Sequence, residues 1–233
     1  MTPTSKNARI VGFLYLLLVF CGPLRLLYIP NKLFVSGDAA ATGANIAAHQ
    51  TLFQLGIFAD VYGGVVLVFL ALAFYRLFKD VDWYQAVLLV ITGGILPSAI
   101  YFLNTVNDAA ALLLVRGADY LNVFSEAQRY ALAYFFTRLH FQAVIAAEVL
   151  WGLWLFPMAF LILKSRWFPR FLGYWLILNG VCYLLLSYLG MFSPEYLDSV
   201  SNYTFPVQFG EVAFVLWLLI FGAKERTAAA VAA

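Results

Sequence analysis

Charge is the first thing this sequence is short of. Only 11% of its 233 residues are Asp, Glu, Lys or Arg and 64% are apolar, whereas about a quarter of a soluble domain is charged. So few ions cannot cover a surface facing water, and lipid is the expected solvent for much of it. The formal net charge of +2 is too small to point to a nucleic-acid partner. There are two cysteines, Cys21 and Cys182, both inside apolar runs. That excludes a disulfide framework and leaves them as small buried hydrophobes. Long polar segments are missing as well. The segments between apolar runs are short, none longer than the 34 residues of 107–140, which leaves no room for a soluble catalytic domain.

Histidine and catalytic motifs are equally scarce. His49 and His140 are the only histidines, too few for a three-His zinc set. Carboxylates could complete one, but the eight residues between His140 and Glu148 do not place them on one helical face. Haem ligation is the other possibility, although an axial histidine alone specifies nothing. The plainer reading makes His49 an interfacial residue and His140 a hydrogen-bonded residue of a helix bundle, with no metal or other cofactor assigned. There is no G-x-S-x-G, H-E-x-x-H, P-loop or C-x-x-C, so no catalytic residue is named. Asn202-Tyr203-Thr204 fits a glycosylation triplet, a weak signal that matters only in a secretory pathway.

What the sequence does have is long apolar runs. A helix needs about 20 apolar residues to cross a bilayer core, and six stretches qualify: 10–29, 52–75, 83–106, 141–163, 171–192 and 204–222. None alternates as a barrel strand would. The expected fold is an all-α, polytopic membrane bundle of six transmembrane helices in a single membrane domain. The first run follows Lys6 and Arg9 like a signal peptide, but Ile10–Ile29 is too long for one and no A-x-A site follows. It reads as a retained helix.

Basic residues set the orientation. With the N-terminus inside, Lys6, Arg9, Arg76, Lys79, Lys164, Arg166, Arg170, Lys224 and Arg226 fall on the cytoplasmic side. Lys32, Arg116 and Arg129 fall outside, with Arg25 and Arg138 near or below the outer surface. Both termini are therefore expected in the cytoplasm. The outer connections are 30–50, 107–140 (partly helical) and 193–203, and 225–233 is expected to be a disordered tail. Ser36 or Asp38 can cap a helix over Ala39–His49. Ser125-Glu126-Ala127-Gln128 is a capping box, so the fourth helix is expected to start at Glu126 and, with the third, to project outward. Pro23, Pro97 and Pro157 lie within spans and are expected to kink them.

Two patterns hint at internal repetition. Arg9-Ile-Val-Gly12 matches Arg170-Phe-Leu-Gly173 at an offset of 161, which also pairs Cys21 with Cys182. Asp60, Glu148 and Glu211 each sit between a small residue and valine, 13 to 16 residues before an inner basic residue. Three pseudo-repeated helix hairpins would produce this. So would the shared constraints on any apolar helix with a basic end.

Buried ions are the candidate site. An ionisable group in a span costs about 2.5 kcal/mol or more, so it normally faces the bundle interior and has a partner. Asp60, Glu148 and Glu211 are expected to share one interior space in the outer half, within reach of Arg25 or Arg138, with His140 nearby. Gln208 shares a stripe with Glu211, and Asn104, Asn107 and Asp108 form another near the outer mouth. One reading is a structural ion-pair network that holds the bundle. The other is a polar pocket, open outward, that takes a cation, a proton or a small polar ligand.

Five stretches carry a family resemblance: Ala8-Arg-Ile-Val-Gly-Phe-Leu-Tyr-Leu-Leu17, Pro30-Asn-Lys-Leu-Phe-Val-Ser-Gly-Asp38, Leu55-Gly-Ile-Phe-Ala-Asp60, Trp151-Gly-Leu-Trp-Leu-Phe-Pro157 and Pro169-Arg-Phe-Leu-Gly173. With them the chain resembles the bacterial membrane family called domain of unknown function 4386. The resemblance implies a multi-span protein of the bacterial plasma membrane. It implies no activity. Three functions stay open: binding or transport through the polar pocket, an intramembrane enzyme using the carboxylates or a metal, and a scaffold or partner subunit. Apart from the lipid bilayer, the expected partner is a small polar ligand or cation.

Overall fold

The computed structural model describes Thr2–Lys224, so the expected tail at 225–233, with Arg226, lies outside the described residues. Those residues are helical and contain no strand. Seven helices carry the architecture: α1 Pro3–Leu33, α2 Ala39–Ala48, α3 Gln50–Phe78, α4 Trp83–Arg116, α5 Glu126–Ser165, α6 Arg170–Phe192 and α7 Pro194–Ile220. All except α2 are long and apolar enough to cross a membrane. Their lipid-type surface is visible in the side chains: Phe13, Phe20, Phe58, Leu103, Phe171 and Ile220 are all exposed. In water such a belt would drive aggregation, whereas in hydrocarbon it is an ordinary surface. The chain is an all-α, multi-pass membrane protein.

Local chemistry sets the helix ends. Asp38 caps α2 by accepting the Ala41 N–H at 2.9 Å, and Asp82 caps α4 by accepting the Gln85 N–H at 3.1 Å. At α5 both halves of a capping box form. The Ser125 hydroxyl oxygen accepts the Gln128 N–H at 3.3 Å, and the Gln128 side chain accepts the Ser125 N–H at 2.8 Å. The helix runs unbroken for 40 residues, about 60 Å at 1.5 Å per residue and twice a hydrocarbon core. At the end of α4, Gly117 adopts φ +69°, the left-handed stop that glycine takes without strain.

Proline acts in a way the sequence reading did not anticipate. Two stretches are π-helical, Leu24–Tyr28 in α1 and Ile91–Ile95 in α4. Each ends two residues before a proline, Pro30 or Pro97. Each closes with the N–H of the residue just before that proline, Ile29 to Leu24 and Leu96 to Ile91. A proline ring clashes with the carbonyl one turn back and offers no N–H to it, so the preceding turn widens by a residue. Pro157 lies within the unbroken α5.

The chain separates into two compact units. The first unit takes the residues up to Leu18, Val66–Ser98 and those from Ile145 onward. Its core is aromatic. The Tyr15 ring meets Trp154 edge-on at 5.4 Å, Phe74 stacks on Phe214 at 6.4 Å, and Phe78 stacks on Trp167 at 6.0 Å. Helices α5 and α6 approach backbone to backbone at Gly152 and Gly180. A Cβ on either would lie 2.8 or 3.0 Å from the other's carbonyl oxygen, so only glycine fits. The second unit takes Val19–Val65 and Ala99–Val144. Its core is mostly aliphatic: Ile29, Leu33, Ile46, Phe53, Leu112 and Val115 are buried together.

Candidate functional site

Within the second unit, α1, α3, α4 and α5 each bring one polar side chain to a common point. Arg25 comes from the π turn of α1, where the widened turn precedes Pro30. Such turns are frequent at functional sites. On α3, Gly56 lets the arginine lie close: a Cβ there would be 2.9 Å from Ile29 and 3.6 Å from the Arg25 side chain. One turn further along α3 is Asp60, whose Oδ2 accepts Arg25 Nε at 2.7 Å. Asp108 of α4 accepts Arg25 Nη2 through its Oδ2 at 2.5 Å. The ring of His140 on α5 lies 2.6 and 3.0 Å from the same Nη2. His140 Nδ1 is also 3.3 Å from Asp108 Oδ2. All four residues are buried, Asp108 to 1% exposure.

The hydrogen-bond chemistry constrains the charge count. A guanidinium only donates, so the ring nitrogen that meets it must carry a lone pair, and the imidazole is uncharged in this contact. One arginine then faces two acids, and with both of them ionised the centre carries a net charge of −1. A further mismatch lies on Asp108. Its Oδ2 serves both Arg25 and His140, while its Oδ1 is buried with no hydrogen-bond partner. A bare buried acceptor normally costs about 1–3 kcal/mol, so the position calls for a proton, a water or an ion.

A polar brace surrounds the cluster. Asn104 donates to the His140 carbonyl at 3.2 Å and accepts from the Asn107 amide at 2.9 Å. Arg138, the other expected counter-ion, is exposed and lies over the Phe141 ring at 5.0 Å.

The remaining acids belong to the first unit. Glu211 on α7 accepts the hydroxyl of Tyr15 from α1, the Asn179 amide of α6 at 3.0 Å, and the hydroxyl of Tyr183. Gln208, one turn away, is half-buried. Glu148 on α5 has one carboxylate oxygen buried without a hydrogen-bond partner. The structure therefore gathers Arg25, Asp60, Asp108 and His140, with Asn104 and Asn107 behind them, and leaves Glu148, Gln208 and Glu211 in the other unit. Sequence reasoning passed over Tyr15, Asn179 and Tyr183. Asn179 carried a signal, a lone amide inside the apolar run Leu178-Asn179-Gly180-Val181. The tyrosines carried none among 14 in the chain.

Comparison with known proteins locates the chain without naming an activity. Over 79 residues it is 35% identical to an Archaeoglobus fulgidus protein described only as an uncharacterized protein, covering 33% of this chain and 44% of that one. The matched stretch is thus less than half of that relative's length. No solved structure matches. A family model described as "Domain of unknown function (DUF4386)" matches residues 10–222. That stretch includes every residue of the Arg25 cluster, and the protein belongs to the DUF4386 family.

Proposed function

We propose that the protein takes up one small cation, in the simplest case a proton, at the Arg25–Asp60–Asp108–His140 centre, and that this uptake serves binding or transport across the membrane. The observation that carries the reading is a pair of buried acids sharing one arginine, with Asp108 Oδ1 left without a hydrogen-bond partner; with both acids ionised the centre is one positive charge short. In low dielectric an uncompensated charge costs several kcal/mol, so a centre built one positive charge short favours a cation that comes and goes. Arg25 is the resident counter-ion and holds both acids in place. Asn104 fixes the backbone at His140. On this reading a cation reaches the buried centre from the outer side, both termini are cytoplasmic and the membrane is the bacterial plasma membrane. The asymmetry of Lys and Arg supports that placement.

The test is flux. Vesicles containing the purified protein and a pH-sensitive dye are given a membrane potential. Wild-type vesicles should admit protons faster than empty ones, and Asp108→Asn should return the rate to that of empty vesicles. The reading is overturned by a wild-type protein that moves no cation and whose thermal midpoint does not respond to cations.

A second reading has one observation behind it. Ligand atoms of Asp60, Asp108 and His140 lie within 4.8 Å of one another, and one imidazole with two carboxylates suits a divalent transition metal. Arg25 already touches all three residues, so a metal would have to displace the guanidinium. Stoichiometric metal in purified protein, retained on dialysis, would promote an intramembrane metalloenzyme over cation uptake.

A further inference from the structure

The carboxylate of Glu211 has no cation of its own. Among the described residues no ion pair reaches it, and its hydrogen bonds come from three neutral groups. The titratable groups facing it are Tyr15 from α1 and Tyr183 from α6, both uncharged as hydroxyl donors. Asn179 is fully buried, at 0% exposure. Its amide N–H is committed to Glu211, while its Oδ1 is buried without a partner. A carboxylate neighbour requires the N–H side of the amide to face it, so the vacant position is an acceptor. Register across the α6–α7 contact is fixed one turn earlier, where the Trp175 indole N–H donates to the Val207 carbonyl at 2.9 Å and packs on Gly210. Trp154 and Phe74 wall off Tyr15 on the far side. Glu211 as a whole residue is partly buried.

These features describe a carboxylate held by two hydroxyls and one amide N–H, with no cation paired to it, a buried amide oxygen left unused on the same asparagine, and aromatic rings against Tyr15. We propose that Glu211, Asn179 and the hydroxyls of Tyr15 and Tyr183 form a binding site for one hard monovalent cation, sodium or a proton, separate from the Arg25 centre. Oxygen donors without nitrogen or sulfur suit such ions and disfavour transition metals. Asn179 Oδ1 and one Glu211 oxygen supply the primary ligands, and the tyrosine hydroxyls orient the carboxylate.

The experiment is thermal unfolding of the purified full chain in detergent, in two arms. In one, sodium chloride replaces an equal concentration of N-methylglucamine chloride at constant pH. In the other, pH falls from neutral to mildly acid without sodium. Above the dissociation constant, a bound ion should raise the midpoint by roughly 3 °C or more per tenfold increase. A rise in the first arm assigns sodium, and a rise only in the second assigns a proton. Measured in the Asp108→Asn background, where the Arg25 centre no longer takes up a cation, the response should persist, and adding Glu211→Gln should abolish it. If Glu211→Gln does not fold, Tyr15→Phe and Asn179→Ala carry the test, each moving the titration to about tenfold higher cation. A wild-type midpoint flat in both arms overturns the proposal. So does a double variant that responds like Asp108→Asn alone, or a titration left unchanged by both secondary variants.

Discussion

The two polar centres of this molecule handle buried carboxylates in opposite ways. In the second unit, Asp60 and Asp108 are held by a permanent ion, Arg25, presented from a π turn. In the first unit, Glu211 is held by two hydroxyls and an amide, with no ion. A guanidinium cannot leave its helix or lose its proton, so the Arg25 centre is rigid in charge and can only add to what it has. Neutral donors commit to nothing: they stabilise a carboxylate and equally tolerate a cation arriving beside it. Both centres nevertheless keep a vacant buried oxygen, Asp108 Oδ1 in one and Asn179 Oδ1 in the other. Fully satisfied polar networks rigidify a core, and the positions left open are where a structural role alone explains least.

The sharpest way to break the comparison is to remove the permanent ion. Arg25→Ala leaves two acids facing each other with a histidine, and removing one partner of a buried pair typically costs about 3–5 kcal/mol. We expect a loss of that order in denaturant or thermal unfolding, much of it recovered when Asp60→Asn is added. An Arg25→Ala protein as stable as wild type would show that the acids are already neutral in the fold. The next effect is smaller. Tyr15→Phe removes one donor from Glu211 and nothing else, and hydrogen bonds to charged groups contribute about 1.5–3 kcal/mol. A loss well below that range, measured in the same unfolding assay, would mean Glu211 is not a bare carboxylate when Tyr15 meets it.

Much of the scaffold was legible in the sequence, because spans, caps and breakers are local. Apolar run length gave the six membrane helices, and Ser125 with Gln128 gave the start of α5. Asp38 gave the start of α2. The site was legible only in part. Depth along a helix can be counted from its basic end, and on that basis Asp60, Glu148 and Glu211 were grouped. Direction around the axis depends on which helices pack together, and no spacing within one helix reveals it. Asp108 was therefore assigned to a mouth with Asn104 and Asn107, while the structure turns it onto Arg25. The π turn had a visible cause in Pro30, five residues beyond Arg25. A proline was read as a kink, whereas here it widens the turn that presents the arginine.

A third variant separates the two acids of the Arg25 centre. Asp108→Asn removes the surplus charge and leaves Arg25 with Asp60. The change in stability should be under about 1 kcal/mol, because the weakened contact to Arg25 is offset by relief of the uncompensated buried charge and the arginine keeps Asp60. Asp60→Asn should cost more, since Asp60 is the acceptor of Arg25 Nε. If instead Asp108→Asn costs as much as Asp60→Asn, Asp108 is as much a structural partner of Arg25 as Asp60 is, and the reading of its charge as surplus to the fold fails.

The smallest effect comes from an exposed ion pair at the end of α5 and the start of α4, and it calibrates the buried ones. Asp82, just before α4, accepts Lys164 Nζ at 2.7 Å and caps the helix through the Gln85 N–H. The Lys164 ammonium and that backbone N–H hold the Asp82 carboxyl below its ordinary value. A lowered carboxyl binds its proton less readily folded than unfolded. Its contribution is therefore complete above the unfolded carboxylate pKa, about 4, and disappears as pH falls through the lower folded value. Asn is also a good N-cap, so Asp82→Asn keeps the cap and removes only the charge. The midpoints of wild type and Asp82→Asn should differ slightly at neutral pH, converge in acid, and converge again as salt screens the exposed pair. The buried centres should behave differently, because salt barely screens a pair that water does not reach. If Asp82→Asn and Arg25→Ala show the same salt dependence, the Arg25 centre is open to water, and the low dielectric assumed for its missing charge does not hold.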